Sequence, residues 1–175
     1  MEDEALILRI KSGDTAALEQ LIQKYYEYVY SYCYRKIGNQ DDAQDITQEV
    51  FLHFCRNFDN YVQKSKVKTY LYTIAHNLCI NAMQVKKTLS LEDVETENYT
   101  YKNTMENQIE TTNPIKLALN ELPDEQKEVI LLRFYHDFKL KEIAQVMSSG
   151  LSVTKYRLSQ GLKTLGKLLS KEDWL

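Results

Sequence analysis

The sequence predicts an all-α protein built as two small helical domains, and three observations carry that prediction. Gly (5) and Pro (2) are scarce among the 175 residues, so few positions force a helix to stop. Apolar residues recur at steps of three and four over long stretches, the spacing of one helix face. From about residue 88 to 113 that periodicity gives way to a Thr-, Asn- and Glu-rich run, the composition of a solvated tether.

The first helix is expected over about Glu2–Lys11, stopping at Ser12-Gly13. Asp14 then suits the N-cap of a long helix to about Ile37, with Gly38 as its left-handed stop. Leu18, Leu21, Ile22, Tyr25, Val29 and Tyr32 give it an apolar stripe. Tyr25, Tyr26, Tyr28, Tyr30, Tyr32 and Tyr34 crowd its second half. They are too many for one face, so packing on more than one side is expected. A third helix, roughly Asp41–Asn57, carries Ala43, Ile46, Val50, Phe51, Phe54 and Phe58 on one side. Its other side carries Asp41, Asp45, Gln48, Glu49 and Leu52. A fourth, capped by Ser65 and ending near Lys87, has Val67, Leu71, Ile74, Ala75, Leu78, Ala82 and Val85 as its buried stripe. Tyr70, Thr73, Asn77, Asn81 and Gln84 share another of its faces.

Residues 1–87 therefore read as one compact domain, 88–113 as a linker and 114–175 as a second domain. Asn113-Pro114 restarts the chain with an N-cap and an N1 proline. A short helix to Glu121, one from Pro123 to about Tyr135, and one over Leu140–Met147 follow. Ser148-Ser149-Gly150 turns the chain into a last helix, about Ser152–Leu169. Two helices joined by so short a Gly-containing turn form a helix-turn-helix pattern.

Composition excludes several function classes. Cys33, Cys55 and Cys79 stand far apart, and His53, His76 and His136 sit alone, so neither a metal-ligand spacing nor a nucleophile–base set is visible. No enzyme activity, cofactor, metal or small-molecule substrate is expected. The acidic start Met1-Glu2-Asp3-Glu4 is unlike a signal peptide, and no apolar run has the length of a membrane span. A cytoplasmic location is expected. The net charge of −3 conceals segregation. Residues 1–87 are balanced, residues 88–113 carry −5, and residues 114–175 carry +2. Within the last helix, Lys155, Arg157, Lys163 and Lys167 face no acid across 151–169, as a groove-binding helix requires.

At this point particular runs become informative. Asp42-Ala43-Gln44-Asp45-Ile46-Thr47-Gln48-Glu49-Val50-Phe51 resembles the D-A-E-D-L-T-Q-E-V-F segment of sigma factors. Tyr70-Leu71-Tyr72-Thr73-Ile74-Ala75-His76-Asn77 is similar to the family's W-L-Y-x-I-A-x-N, with Tyr70 in the tryptophan's place. Ala118-Leu119-Asn120-Glu121-Leu122-Pro123, then Glu128-Val129-Ile130-Leu131-Leu132-Arg133 and Glu142-Ile143-Ala144, resemble its second domain. The matches run in order over about Leu6–Leu169 and leave no room for a region 3 domain. The resemblance is thus to the extracytoplasmic-function (ECF) group of RNA polymerase sigma factors, with a region 2 bundle, a flexible acidic linker and a region 4 helix-turn-helix.

The resemblance implies bacterial core RNA polymerase and promoter DNA as partners, and an anti-sigma factor as regulator. It places Asp42, Asp45, Gln48, Glu49 and Leu52 against the polymerase clamp. It places the loop Asp59–Lys66 and the fourth helix at the −10 strand, through Asn60, Tyr61, Lys64, Lys66, Lys68, Tyr70, Asn77 and Asn81. The last helix would read the −35 groove with Lys155, Tyr156, Ser159 and Gln160 facing bases, and Arg157 and Lys163 holding phosphates or packing. The linker would thread through the polymerase, as an active mimic of nucleic acid or as a plain spacer. There are departures. Gln84, Lys86 and Lys87 stand where the family has an arginine cluster, and Gly161 takes an alanine position. A mid-helix Gly costs about 1 kcal/mol unless close packing requires it. A free-standing helix-turn-helix regulator would explain the second domain alone, and a polymerase-binding co-regulator would explain the thinner basic surface.

Overall fold

The structure, a computed structural model, describes residues 2–61, 65–92 and 113–171, the side chains of residues 92 and 171 aside. The described residues form helices α1 Glu2–Lys11, α2 Thr15–Ile37, α3 Gln40–Arg56, α4 Val67–Glu92, α5 Pro114–Asn120, α6 Asp124–Ile130, α7 Leu140–Val146 and α8 Leu151–Lys171. They fall into two compact units, divided near residue 98. The expected linker residues 93–112 lie outside the described residues.

In the first unit α2 is the hub, packed against α1, α3 and α4. Its caps are those read from the sequence: Asp14 Oδ1 accepts from Ala17 N–H at 3.2 Å, and Gly38 sits at φ 72°. Leu21, Val29, Val50, Phe54, Leu71 and Tyr72 are fully buried, each contributing roughly 1.5–3 kcal/mol relative to exposure. The tyrosines divide as their directions demand. Tyr25 and Tyr32 are core, Tyr26 stacks on Phe51, Tyr30 stacks on Tyr34, and Tyr28 is exposed. Tyr72 keeps its hydroxyl satisfied by donating to Tyr28 O at 3.1 Å. Cys33 and Cys79 are buried, whereas Cys55 is exposed.

Three local expectations are corrected. Ile46 is only half-buried, and Thr47 takes the core position with its hydroxyl donating to Ala43 O at 2.7 Å. Ser65 does not cap α4, since Lys66 O accepts the first helical bond, from Tyr70 N–H at 3.0 Å. The helix also continues five residues past Lys87, to Glu92, with Val85 exposed rather than buried. Backbone bonding needs no buried face. The Thr88 and Ser90 hydroxyls donate back to Gln84 O and Lys87 O and extend the local hydrogen bonding.

In the second unit α8 is the spine, touching α5, α6 and α7. Asn113 Oδ1 caps α5 by accepting from Ile115 N–H at 3.0 Å, with Pro114 opening the helix. The segment expected as one helix from Pro123 to Tyr135 is α6 followed by a π-helical turn, Leu131–Tyr135. There His136 N–H reaches back five residues to Leu131 O at 3.1 Å. Glu142 accepts from the backbone N–H of Lys139 at 2.8 Å and fixes the start of α7. Gly161 is buried, and a Cβ there would lie 2.7 Å from Ile130 Cδ1. A side chain at this position would have to displace the end of the Ile130 side chain, where α8 packs on α6.

Candidate functional site

The face of α3 opposite its core is built by phase. Ala43, Thr47, Val50 and Phe54 are fully buried, which turns Asp41, Asp45, Gln48 and Leu52 outward at helical spacing. All four are exposed, Leu52 at 48%. Asp45 forms no ion pair among the described residues, while Glu49 meets Arg56 at 3.5 Å and Asp42 pairs with Lys86 of α4. The result is an exposed leucine beside carboxylates and an amide. Such a surface suits an apolar anchor inside a charged rim.

The expected −10 residues separate into two groups. Tyr61 is 4% exposed, and its hydroxyl donates to Ser65 O at 2.7 Å. Its ring lies 5.0 Å from Tyr70 and 6.2 Å from Phe54, and Phe58 completes the cluster. Tyr61 thus packs within this aromatic cluster. Tyr70 is half-buried in the same cluster. Asn60, Lys66, Asn77 and Asn81 are exposed and Lys68 is half-buried. Lys64 lies outside the described residues.

On α8, burial of Thr154, Gly161 and Leu165 sets the phase. Thr154 is locked at the helix start, where its hydroxyl donates to Gly150 O and meets Ser149 Oγ, both at 3.0 Å. Lys155, Tyr156, Ser159 and Lys163 are consequently exposed and Gln160 half-buried. Of the two roles open to Arg157, phosphate contact and packing, the structure shows packing. It is 20% exposed, and its guanidinium meets Glu125 of α6 at 2.5 Å, so it braces the helix rather than presenting a free cation. Val153, absent from the expected contacts, is exposed at 44% on the outward side. Val153 stands about 100° round the helix from the inward Thr154, outside the packed face.

Comparison with known proteins follows this division. The chain matches Sigma-70 region 2 over residues 21–88 and Sigma-70, region 4 over residues 112–165. It is 31% identical to the ECF RNA polymerase sigma factor SigW of Bacillus subtilis, over 93% of this chain and 94% of that one. It is 32% identical to the RNA polymerase sigma factor SigV of the same organism, over 86% and 87%. Among solved structures it is similar in fold to CnrH in complex with the cytosolic domain of CnrY, with TM-score 0.72, 18% identity, and 99% and 100% of the two chains covered. Another is the sigma factor RpoE in complex with the anti-sigma factor NepR from Bartonella quintana, with TM-score 0.67, 21% identity and 89% and 97% covered. With a 31% identical relative matched along nearly its whole length, and both sigma domains matched in order, the chain belongs to the ECF family of RNA polymerase sigma factors.

Proposed function

We propose that this sigma factor docks on core RNA polymerase through the outward face of α3 and directs it to promoters with −10 and −35 elements. The observation that carries the reading is the exposed Leu52 flanked by Asp45, Gln48 and Glu49 on a helix whose opposite side is fully buried. An apolar anchor with a charged rim gives both affinity and orientation. Asn60, Lys66, Lys68, Asn77 and Asn81 supply amides and cations for a single −10 strand, with Tyr70 at the edge of their platform. Lys155, Tyr156, Ser159, Gln160 and Lys163 serve the −35 groove, with Arg157 as their brace. Gln84, Lys86 and Lys87 offer few phosphate contacts, so DNA affinity depends on assembly with polymerase. An anti-sigma factor completes the proposed set of partners, as NepR does for the fold relative RpoE.

The test is binding to core polymerase by the double variant Asp45→Lys, Glu49→Lys. The expected outcome is affinity weakened about 100-fold or more, with unchanged helical circular dichroism and melting. Unchanged binding by the folded variant would refute the docking assignment. In-vitro transcription on a genomic fragment library would then test promoter direction: new defined start sites are expected only when the sigma factor and core polymerase are both present.

A further inference from the structure

The outward side of α8 is not uniformly hydrophilic. Val153 and Tyr156 lie three residues apart, at 44% and 64% exposure, and share one side of the helix. Thr154, Gly161 and Leu165 are buried on a different face. Lys155 and Lys163 are exposed beyond Tyr156 on the same helix, and residues 151–169 contain no acid. The surface is therefore a small apolar strip set in positive charge. A polyanion complements that charge, and within a polyanionic duplex the major groove offers one base feature that rewards apolar contact, the C5-methyl of thymine.

Resting on the −35 reading above, we propose that Val153 reads a thymine methyl group, with the Tyr156 ring closing the contact from the next turn. Val153 suits this role physically. Its β-branched side chain holds one strongly preferred rotamer in a helix, so its methyl groups are presented with little loss of freedom on binding. It stands in the first turn of α8, the part of a recognition helix that approaches base edges. A hydrogen-bonding side chain there could discriminate adenine or guanine. Valine instead discriminates thymine from cytosine and from uracil, by shape and desolvation. The promoter element should accordingly hold one or two A·T pairs at which the methyl matters, on either strand.

The experiment uses the full chain assembled with core polymerase, on promoters obtained by library transcription. Each thymine of the −35 element is replaced in turn by deoxyuridine, which removes only the methyl group. Wild-type holoenzyme is expected to lose affinity about three- to fivefold at one or two positions, the effect of one buried methyl. Holoenzyme with Val153→Ala should bind the thymine promoter more weakly and show no further loss with deoxyuridine. Val153 is surface-exposed and alanine favours helix, so this variant keeps its fold, which a thermal melt verifies. A second variant, Val153→Thr, replaces one methyl by a hydroxyl and should halve the deoxyuridine effect or remove it. Full sensitivity in Val153→Ala, or none at any position in the wild type, would overturn the proposal while a normal upstream footprint kept the −35 reading intact. A missing upstream footprint would overturn both.

Discussion

At the residue scale, backbone conformation and side-chain space diverge from what residue type suggests. The turn between α7 and α8 contains Gly150, yet its left-handed residue is Ser148, at φ 48°. Gly150 is not left-handed, and a Cβ there would meet no atom within 4 Å. A left-handed non-glycine costs roughly 1–2 kcal/mol. Ser148→Gly is therefore expected to raise stability by up to about 1 kcal/mol, after allowing for the freer unfolded chain. Gly150→Ala should lower stability by about 0.5 kcal/mol, because position 150 caps α8 and alanine is a poorer N-cap than glycine. Urea or thermal melts of both variants check this. Gly161 shows the opposite logic. Its cost to helix propensity was legible in the sequence, but the packing that would set a Cβ there 2.7 Å from Ile130 Cδ1 was not. That contact joins residues 31 positions apart, and no local pattern encodes it.

At the scale of elements, α1 shows how a short helix is held. Lys24 Nζ of α2 reaches Glu2 at 2.8 Å and Asp3 at 2.7 Å, and Tyr25 Oη donates to Asp3 Oδ2 at 2.5 Å. Burial pushes the Asp3 carboxyl up, but hydrogen bonds from Lys24 and Tyr25 outweigh it and hold the group below its ordinary 3.8. Hydrogen bonds to Asp3 and Glu2 hold the Lys24 ammonium above its ordinary 10.5. A depressed carboxyl stabilises the fold above its unfolded value, and that contribution is lost as pH falls through the folded value. A raised ammonium contributes below its unfolded value and is lost as pH rises through the folded one. The brace should thus be intact between about pH 4 and 10. Asp3→Asn is expected to cost about 1 kcal/mol at neutral pH and to lose less stability than the wild type on acidification to pH 3. Urea titrations at the two pH values measure the difference. Element ends were legible at Asp14, Gly38 and Asn113, though not at Ser65. The end of α4 was not, because a helix can outlast its buried stripe.

At the scale of the molecule, the two-unit layout and the all-helical class were legible from hydrophobic period and charge segregation. The outward α3 face was legible too, since the same periodicity that buries Val50 and Phe54 exposes Asp45 and Leu52. Candidate contacts were less so, because residue type does not reveal burial. Tyr61 and Arg157 have the chemistry of nucleic-acid contacts, and tertiary packing gives them to the aromatic cluster and to Glu125. The long α4 has one further consequence. From Met83 to Leu91 every side chain is exposed, so that stretch is held by its own backbone bonds and by the Lys86–Asp42 pair. Its unfolding uncovers almost no new apolar surface, and so adds little to the heat-capacity change of the first unit. Native-state hydrogen exchange should accordingly find its amides opening in low denaturant, well before those around Leu71 and Tyr72, with little dependence on denaturant concentration. Within one continuous helix, the half that closes the core and the half beyond it would thus report two different free energies.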